Sequence, residues 1–377
     1  MRIGIDASNL RSGGSLTHIG ELLAAAEPER YGVTRVVVWG GSEVLDRLPS
    51  RDWLEGIYDP MLDRPLPMRV LWQQTRLAQL VRRAACDVLF VPGGTYLGDF
   101  RPFVTMSRNL LPFDIPQMWL YGVSAKVLKF LLLRFGQTRT MRNAAGTIFL
   151  HDYARSRVIR TVKSLLGTEV IIPHGISGRF RAEPREQKPL SAYSKEHPFK
   201  LLYVSTVDAY KHQWRVVEAV AKLVRKGLPV CLELVGPPDN DTSMEQLRRA
   251  VKDLGAEAYV RYRGPVPHAE LPTVYAEGDA FVFASSCENL PNCLLEAMSA
   301  GLPIACSNRL PMPRILGKGG VYFDPNDSDD IARSLEQLIT SPQARRQFAA
   351  ISYENAQHYS WKRCADDTFS FLRAAVA

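Results

Sequence analysis

The stretch Ser285-Ser286-Cys287-Glu288-Asn289-Leu290-Pro291-Asn292-Cys293-Leu294-Leu295-Glu296-Ala297-Met298-Ser299-Ala300-Gly301-Leu302-Pro303 follows the apolar run Ala280–Ala284. A short apolar run bounded by polar and turn residues reads as a buried strand. Pro291 and Asn292 form a turn, Asn292 can cap a helix that starts near Cys293, and Gly301 stops it. Glu288 then lies in the loop after a strand, and Glu296, eight residues later, lies inside the following helix. Ligands of open α/β sheets bind at the carboxyl ends of the strands. Two carboxylates there suit a hydroxyl-rich ligand, because each can accept several hydrogen bonds from sugar OH groups. The plain alternative is a strand, turn and helix whose carboxylates are simply solvated.

The same alternation runs outward in both directions. Apolar runs at Arg2–Asp6, Val33–Trp39, Val88–Val91, Thr147–Phe149 and Val170–Ile172 read as strands, and so do Lys200–Val204, Val230–Leu234, Val260–Arg263 and Pro303–Cys306. Helical patterns intervene, among them Gln213–Lys226, Ser243–Leu254 and Ser328–Leu338. Strands alternating with helices predict parallel α/β sheets. A stretch rich in charge and proline breaks the pattern and reads as a linker over 183–198. It separates an N-terminal domain, 1–182, from a C-terminal domain, 199–358, and a last helix covers 359–377.

A chain of 377 residues is long for one core and comfortable for two. Its composition, 46% hydrophobic and 23% charged, is that of a globular protein. No apolar run is long enough to span a bilayer. Met1–Asp6 reads as a buried strand rather than a signal peptide. The 6 cysteines form no CxxC pair, so reduced thiols are expected rather than disulfides or zinc, and a cytoplasmic location with them. A net charge of +8 fits an anionic substrate or an anionic membrane. Nucleic acid is the weakest candidate, because no recognition signature or dense basic tract is present.

The stretch around Glu288 and Glu296 resembles the E-x7-E signature of retaining nucleotide-sugar glycosyltransferases of the large family 4 group, also called group 1. The flanking Leu-Leu-Glu-Ala-Met and Gly-Leu-Pro-Ile fit as well as the glutamates do. The resemblance implies the GT-B fold: two Rossmann-like parallel-sheet domains facing a central cleft, with the final helix crossing back to the N-terminal domain. Acceptor binding would fall to the first domain and nucleotide-sugar binding to the second.

It also assigns roles. Ser205-Thr206-Val207-Asp208-Ala209-Tyr210-Lys211-His212 follows a strand and opens a helix, where the family holds the donor diphosphate with an Arg and a Lys. Lys211 takes the Lys position; Thr206 replaces the Arg and is the weaker partner for a charged oxygen. Gly236 ends the next strand in the family's Gly-containing turn. Arg263 stands where the backbone contacts the nucleotide base. Glu296 matches the glutamate that binds the ribose, and Glu288 the one near the transferred sugar. Pro291 replaces a glycine whose N–H touches sugar or phosphate, so Asn289, Leu290 and Asn292 are left to supply that contact. Arg314 stands where many relatives carry an acidic residue. No metal ligand pair accompanies the site, so no metal or other cofactor is expected.

In the first half, Gly13 and Gly14 follow the first strand and precede a helix from Leu16, a place where glycines allow close approach to an anion. Arg108 takes a family histidine position and is expected in the cleft, facing sugar or phosphate, or else as a structural arginine. His18, His151 and His174 sit at element ends and read as structural. Met118–Phe135, basic and Trp-containing, reads as a helix. It either lies on an anionic leaflet, with Trp119, Leu120 and Phe130 outward and Lys126, Lys129 and Arg134 flanking, or packs half-buried.

The resulting expectation is a retaining glycosyltransferase that moves a hexose from a UDP- or GDP-sugar to a hydroxyl of a cell-surface glycan or lipid-linked acceptor. Such an enzyme would work at the inner face of the membrane. The alternatives are a GT-B sugar-nucleotide epimerase and a non-catalytic two-lobed sugar-binding protein. A dehydrogenase is disfavoured by the lack of a complete GxGxxG after the first strand. The sugar, nucleobase and acceptor stay open.

Overall fold

The computed structural model describes residues 1–11 and 13–376; Ser12 of the glycine loop and Ala377 lie outside the described residues. The chain divides into two compact units, Met1–Gly175 with Tyr359–Ala377, and Ile176–His358.

The first unit holds β1 (Arg2–Asp6), β2 (Arg35–Gly40), β3 (Leu54–Tyr58), β4 (Val88–Val91), β5 (Phe103–Ser107), β6 (Gly146–Phe149) and β7 (Thr168–Ile171). They form one parallel sheet in the order β3-β2-β1-β4-β5-β6-β7. The central strands are covered on both faces, which is why they read as unbroken apolar runs. Trp39, Trp72, Leu77, Val81, Leu89 and Phe103 build one side of the core. The helix Trp361–Ala374 belongs to this unit and packs on the helix Gly14–Ala24. Trp361 meets His18 edge-on at 5.3 Å and stacks on His174 at 5.8 Å. Gly146 leaves room for Phe371, whose ring would lie 2.6 Å from any Cβ there.

The second unit holds β8 (Phe199–Val204), β9 (Val230–Val235), β10 (Val260–Gly264), β11 (Ala280–Phe283), β12 (Ile304–Ser307) and β13 (Gly320–Phe323). Its parallel order is β10-β9-β8-β11-β12-β13. The chain runs outward from β8 to β10 and then returns to β11 on the other side of β8. The switch point of the sheet therefore falls between β8 and β11, where open α/β sheets form a crevice.

Several expectations change. The segment 183–198 is no free linker but part of the second unit. Arg185 donates to the carbonyls of Ala276 and Gly278, Tyr193 donates to Asp279 at 3.1 Å, and the fully buried Arg345 donates to Gln187 Oε1 at 3.0 Å and to the Lys188 carbonyl. Met118–Phe135 is not one helix. Gly122, at φ 59°, ends a short turn, and a new helix runs Ala125–Asn143. Phe130 is buried, whereas Trp119 and Leu120 are exposed. Arg134 is half-buried, with Nη1 donating to the Pro112 carbonyl at 3.3 Å. The helix after Glu288 includes Asn292 as its first residue, and Pro291 stands at the capping position without a side-chain cap.

Candidate functional site

The loops leaving β8 and β11 are knitted together at the switch point. Tyr203, inside β8, donates its hydroxyl to the Lys211 carbonyl and accepts from the Ala284 N–H at 3.2 Å. The Ser286 N–H donates to the Tyr210 carbonyl at 2.8 Å, and His212 Nε2 pairs with Ser286 Oγ at 2.9 Å. This lattice fixes the residues that carry charge. Lys211 Nζ forms an ion pair with Glu288 Oε1, and both side chains are largely buried. The ammonium also lies 4.9 Å from the Tyr210 ring centroid and 5.1 Å from that of Phe283. Burial works against its charge, but Glu288 outweighs that effect and holds the ammonium above the ordinary lysine range. Lys211 and Glu288, 77 residues apart, thus share one spot. Burial, with the Arg215 charge second, lowers the His212 imidazole to about 4.

Glu296 lies one turn into the helix Asn292–Ser299, with both oxygens engaged. Tyr275 donates its hydroxyl to Oε2 at 2.9 Å, and His268 Nε2 lies 3.1 Å from Oε1. Burial, and then the Glu296 charge, push the Tyr275 hydroxyl well above its usual range, so it stays a donor. On the far side of the imidazole, Arg179 Nη2 meets Nδ1. A nitrogen that accepts from a guanidinium carries no proton, so the ring proton faces Glu296. Sequence reading missed Tyr275 and His268 as neighbours of Glu296, and Arg179 behind His268. They come from a helix, a loop and a turn with no shared motif, and only the fold brings them together.

Gly236 directly follows β9 at φ 138°, and a Cβ there would lie 2.2 Å from the Ser205 carbonyl oxygen. The glycine lets β9 close against the loop that carries Thr206. That loop is held by Gln213, whose Nε2 donates to Ser205 Oγ and to the Thr206 carbonyl, each at 2.9 Å. Asn289 and Leu290 are buried beside Glu288, and Asn292 is half-buried. The Arg263 side chain turns away from these groups. It pairs with Glu233 at 3.4 Å and Glu277 at 3.2 Å, in a cluster shared with Lys200 near the start of β8. Any role of Arg263 at a nucleotide base rests on its backbone.

In the first unit, Gly13 takes φ 55° just before the helix Gly14–Ala24, and a Cβ there would meet open space. Arg108, half-buried after β5, donates to the carbonyls of Gly14 and Ser15. Burial brings its guanidinium down to about 10. Arg108 thus braces the glycine loop. His151 caps the helix Asp152–Val162, accepting from the Tyr153 N–H at 3.1 Å. Among the described residues, no group of three His, Cys, Asp or Glu side chains is placed to hold a metal ion.

The chain is similar to known proteins in sequence and in fold. Residues 185–355 match the family described as Glycosyl transferases group 1. The chain is 29% identical over 236 residues to the O-antigen chain mannosyltransferase B of Escherichia coli, a match covering 61% of this chain and 61% of that one. The chain therefore spans less than two thirds of that relative's length. Sucrose-phosphate synthase of Thermosynechococcus elongatus superposes with a TM-score of 0.75 at 17% identity, covering 99% of this chain and 98% of that one. Anabaena HepE, solved with UDP, superposes at 0.69 and 18% identity, covering 99% of each chain. These likenesses establish the GT-B fold.

Proposed function

Residues 185–355 belong to the group 1 glycosyl transferases, and from that premise we propose that the protein is a retaining, metal-independent glycosyltransferase. It moves a hexose from a UDP- or GDP-sugar to a hydroxyl of a cell-surface glycan or a lipid-linked acceptor. The observation that carries this reading is the Lys211–Glu288 pair at the switch point of the second sheet. A buried cation beside a buried carboxylate, at the strand ends, suits an anionic and hydroxyl-rich ligand.

In this reading, Lys211 leaves Glu288 for the donor diphosphate, and Glu288 turns to the hydroxyls of the transferred sugar. Glu296, aimed by Tyr275 and His268, accepts from the ribose. The bond from the anomeric carbon to the diphosphate oxygen breaks while the acceptor oxygen attacks the same face. The acceptor proton passes to the leaving phosphate. Negative charge grows on that phosphate, where a fixed cation and helix N–H groups stabilise it without reorganising. No side-chain nucleophile is required, and EDTA should leave turnover intact. Full loss in EDTA, restored by magnesium or manganese, contradicts metal independence.

The O-antigen mannosyltransferase relative makes GDP-mannose the first donor to try, beside UDP-glucose. Nucleoside diphosphate release is measured with and without lipid-linked or lipopolysaccharide acceptors. Acceptor-dependent release with a new α-linked product supports the reading. Release without transfer, accompanied by an altered sugar, favours the epimerase. Binding without release favours a sugar-binding protein.

A further inference from the structure

The helix Ala125–Asn143 is apolar on two sides. Val127, Phe130 and Met141 face the core of the first unit and are buried. Leu128, Leu131, Leu132 and Phe135 stand on the opposite side at i, i+3, i+4 and i+7, the spacing of one continuous stripe. That stripe is exposed: Leu132 is 65% and Phe135 69% accessible. Trp119, 59% accessible, and Val123, 100%, extend the patch just before the helix. An apolar stripe of this kind on a folded chain marks a surface meant to be covered.

Charge says what covers it. Between Asp114 and Asp152 the chain has no acidic residue, but it carries Lys126, Lys129, Arg134, Arg139 and Arg142. Lys129 and Arg139 are exposed and border the stripe. Lys126 lies over the Tyr121 ring, 3.9 Å from its centroid. A second copy of the chain is a poor fit, because a two-fold contact would set like-charged faces together. No helix among the described residues is long and apolar enough to cross a membrane, so contact with lipid here is at the surface.

We propose that Trp119 and the Leu128–Phe135 stripe, with Lys129 and Arg139, form a docking surface for an anionic lipid bilayer. The helix lies along the headgroup boundary, its leucines and Phe135 in the acyl region and its cations among anionic headgroups. The surface is far in sequence from Lys211 and Glu296, and the inference stands apart from the glycosyl-transfer reading.

The test uses the full chain without any substrate. Vesicles of phosphatidylglycerol and phosphatidylcholine are compared with pure phosphatidylcholine by sedimentation at low salt. The protein should bind the anionic vesicles at least about tenfold better, since each cation near the surface adds appreciably to binding. About 1 M NaCl, which shortens the screening length to about 3 Å, should release much of it. Leu132→Ser with Phe135→Ser, and separately Lys129→Glu with Arg139→Glu, should each cut binding at least about tenfold, with circular dichroism unchanged because all four positions are exposed. Brominated lipids should quench a fluorescence component that Trp119→Phe removes. Equal binding of wild type and both double variants, or no binding to anionic vesicles at low salt, overturns the proposal. A concentration-dependent dimer lost in Leu132→Ser with Phe135→Ser, without vesicle binding, assigns the face to self-association and overturns it equally.

Discussion

Lys211 pairs with Glu288, so on the proposed reading donor binding parts a buried ion pair. Removing one member leaves the other charge buried and alone, which costs on the order of 3 kcal/mol. Lys211→Ala should therefore lower the unfolding midpoint in urea and also slow transfer. The rate loss should be about tenfold to more than hundredfold, as for a charge-assisted contact made mainly in the transition state. Near-normal turnover at low and saturating donor would remove Lys211 from the reaction. Glu288→Gln keeps the shape and should slow transfer while sparing nucleoside diphosphate affinity. Glu296→Gln should do the reverse, weakening UDP or GDP binding in calorimetry. His268→Leu should narrow the affinity gap between UDP and 2′-deoxy-UDP roughly as Glu296→Gln does, and His268→Asn, which keeps a donor, should restore part of it. If only Glu296→Gln narrows that gap, His268 is packing and nothing more. His212 predicts a pH effect. Its folded value, about 4, lies below the ordinary imidazole value of about 6.5. The unfolded chain then takes up more protons between these limits, so stability is full above about pH 6.5 and falls toward pH 4. At pH 5 the loss is about 2 kcal/mol, and urea midpoints of His212→Gln should be flatter over that window.

Gly236 shows how an element boundary shapes the site. With φ at 138° and the Ser205 carbonyl 2.2 Å from a Cβ, Gly236→Ala strains the backbone and pushes on the loop that carries Thr206. The expected destabilisation is about 2–5 kcal/mol, with weaker nucleoside diphosphate binding in the folded fraction. Unchanged stability in urea would mean that the β9 end is freer than its geometry. The Gly-containing turn was legible in the sequence, and so were the inner strands other than β5, because apolar residues cover both of their faces. The edge strands β3 and β13 were not among the expected strands. Leu54-Glu55-Gly56-Ile57-Tyr58 and Gly320-Val321-Tyr322-Phe323 mix polar, glycine and apolar residues, since one side of each faces solvent. The two glutamates and Lys211 could be named from local motifs. Tyr275, His268 and Arg179 could not, since the contacts of the first two with Glu296, and of Arg179 with His268, depend on where a helix, a loop and a turn meet. Phe130, expected outward on the membrane reading, is buried, because a helix apolar on both faces has no period that marks its buried one.

The chain's division was legible as two α/β units, but not where one ends. Charge and proline in 183–198 look like a flexible connector, yet Arg345 holds that segment from inside. Its guanidinium also donates to the carbonyls of Leu338 and Ile339, at 2.8 Å and 2.5 Å. Arg345→Ala leaves several buried carbonyls without a donor and should cost roughly 3 kcal/mol or more. Limited trypsin digestion reports it directly: the wild-type segment should resist cleavage, and the variant should be cut at Arg185, Lys188 or Lys195. Cleavage of the wild type at the same rate would restore the connector. The first unit, by contrast, is discontinuous, with Met1–Gly175 completed by Tyr359–Ala377. On the ribosome this sets an order. The second unit emerges whole and can close while the first still waits for Trp361 to reach His18 and His174. For the time it takes to translate some 180 residues, the surface of the helix Gly14–Ala24 that the last helix will cover is open to chaperones. A nascent chain that stalls before residue 359 would present the cell with one finished lobe and one that a quality-control protease can still recognise.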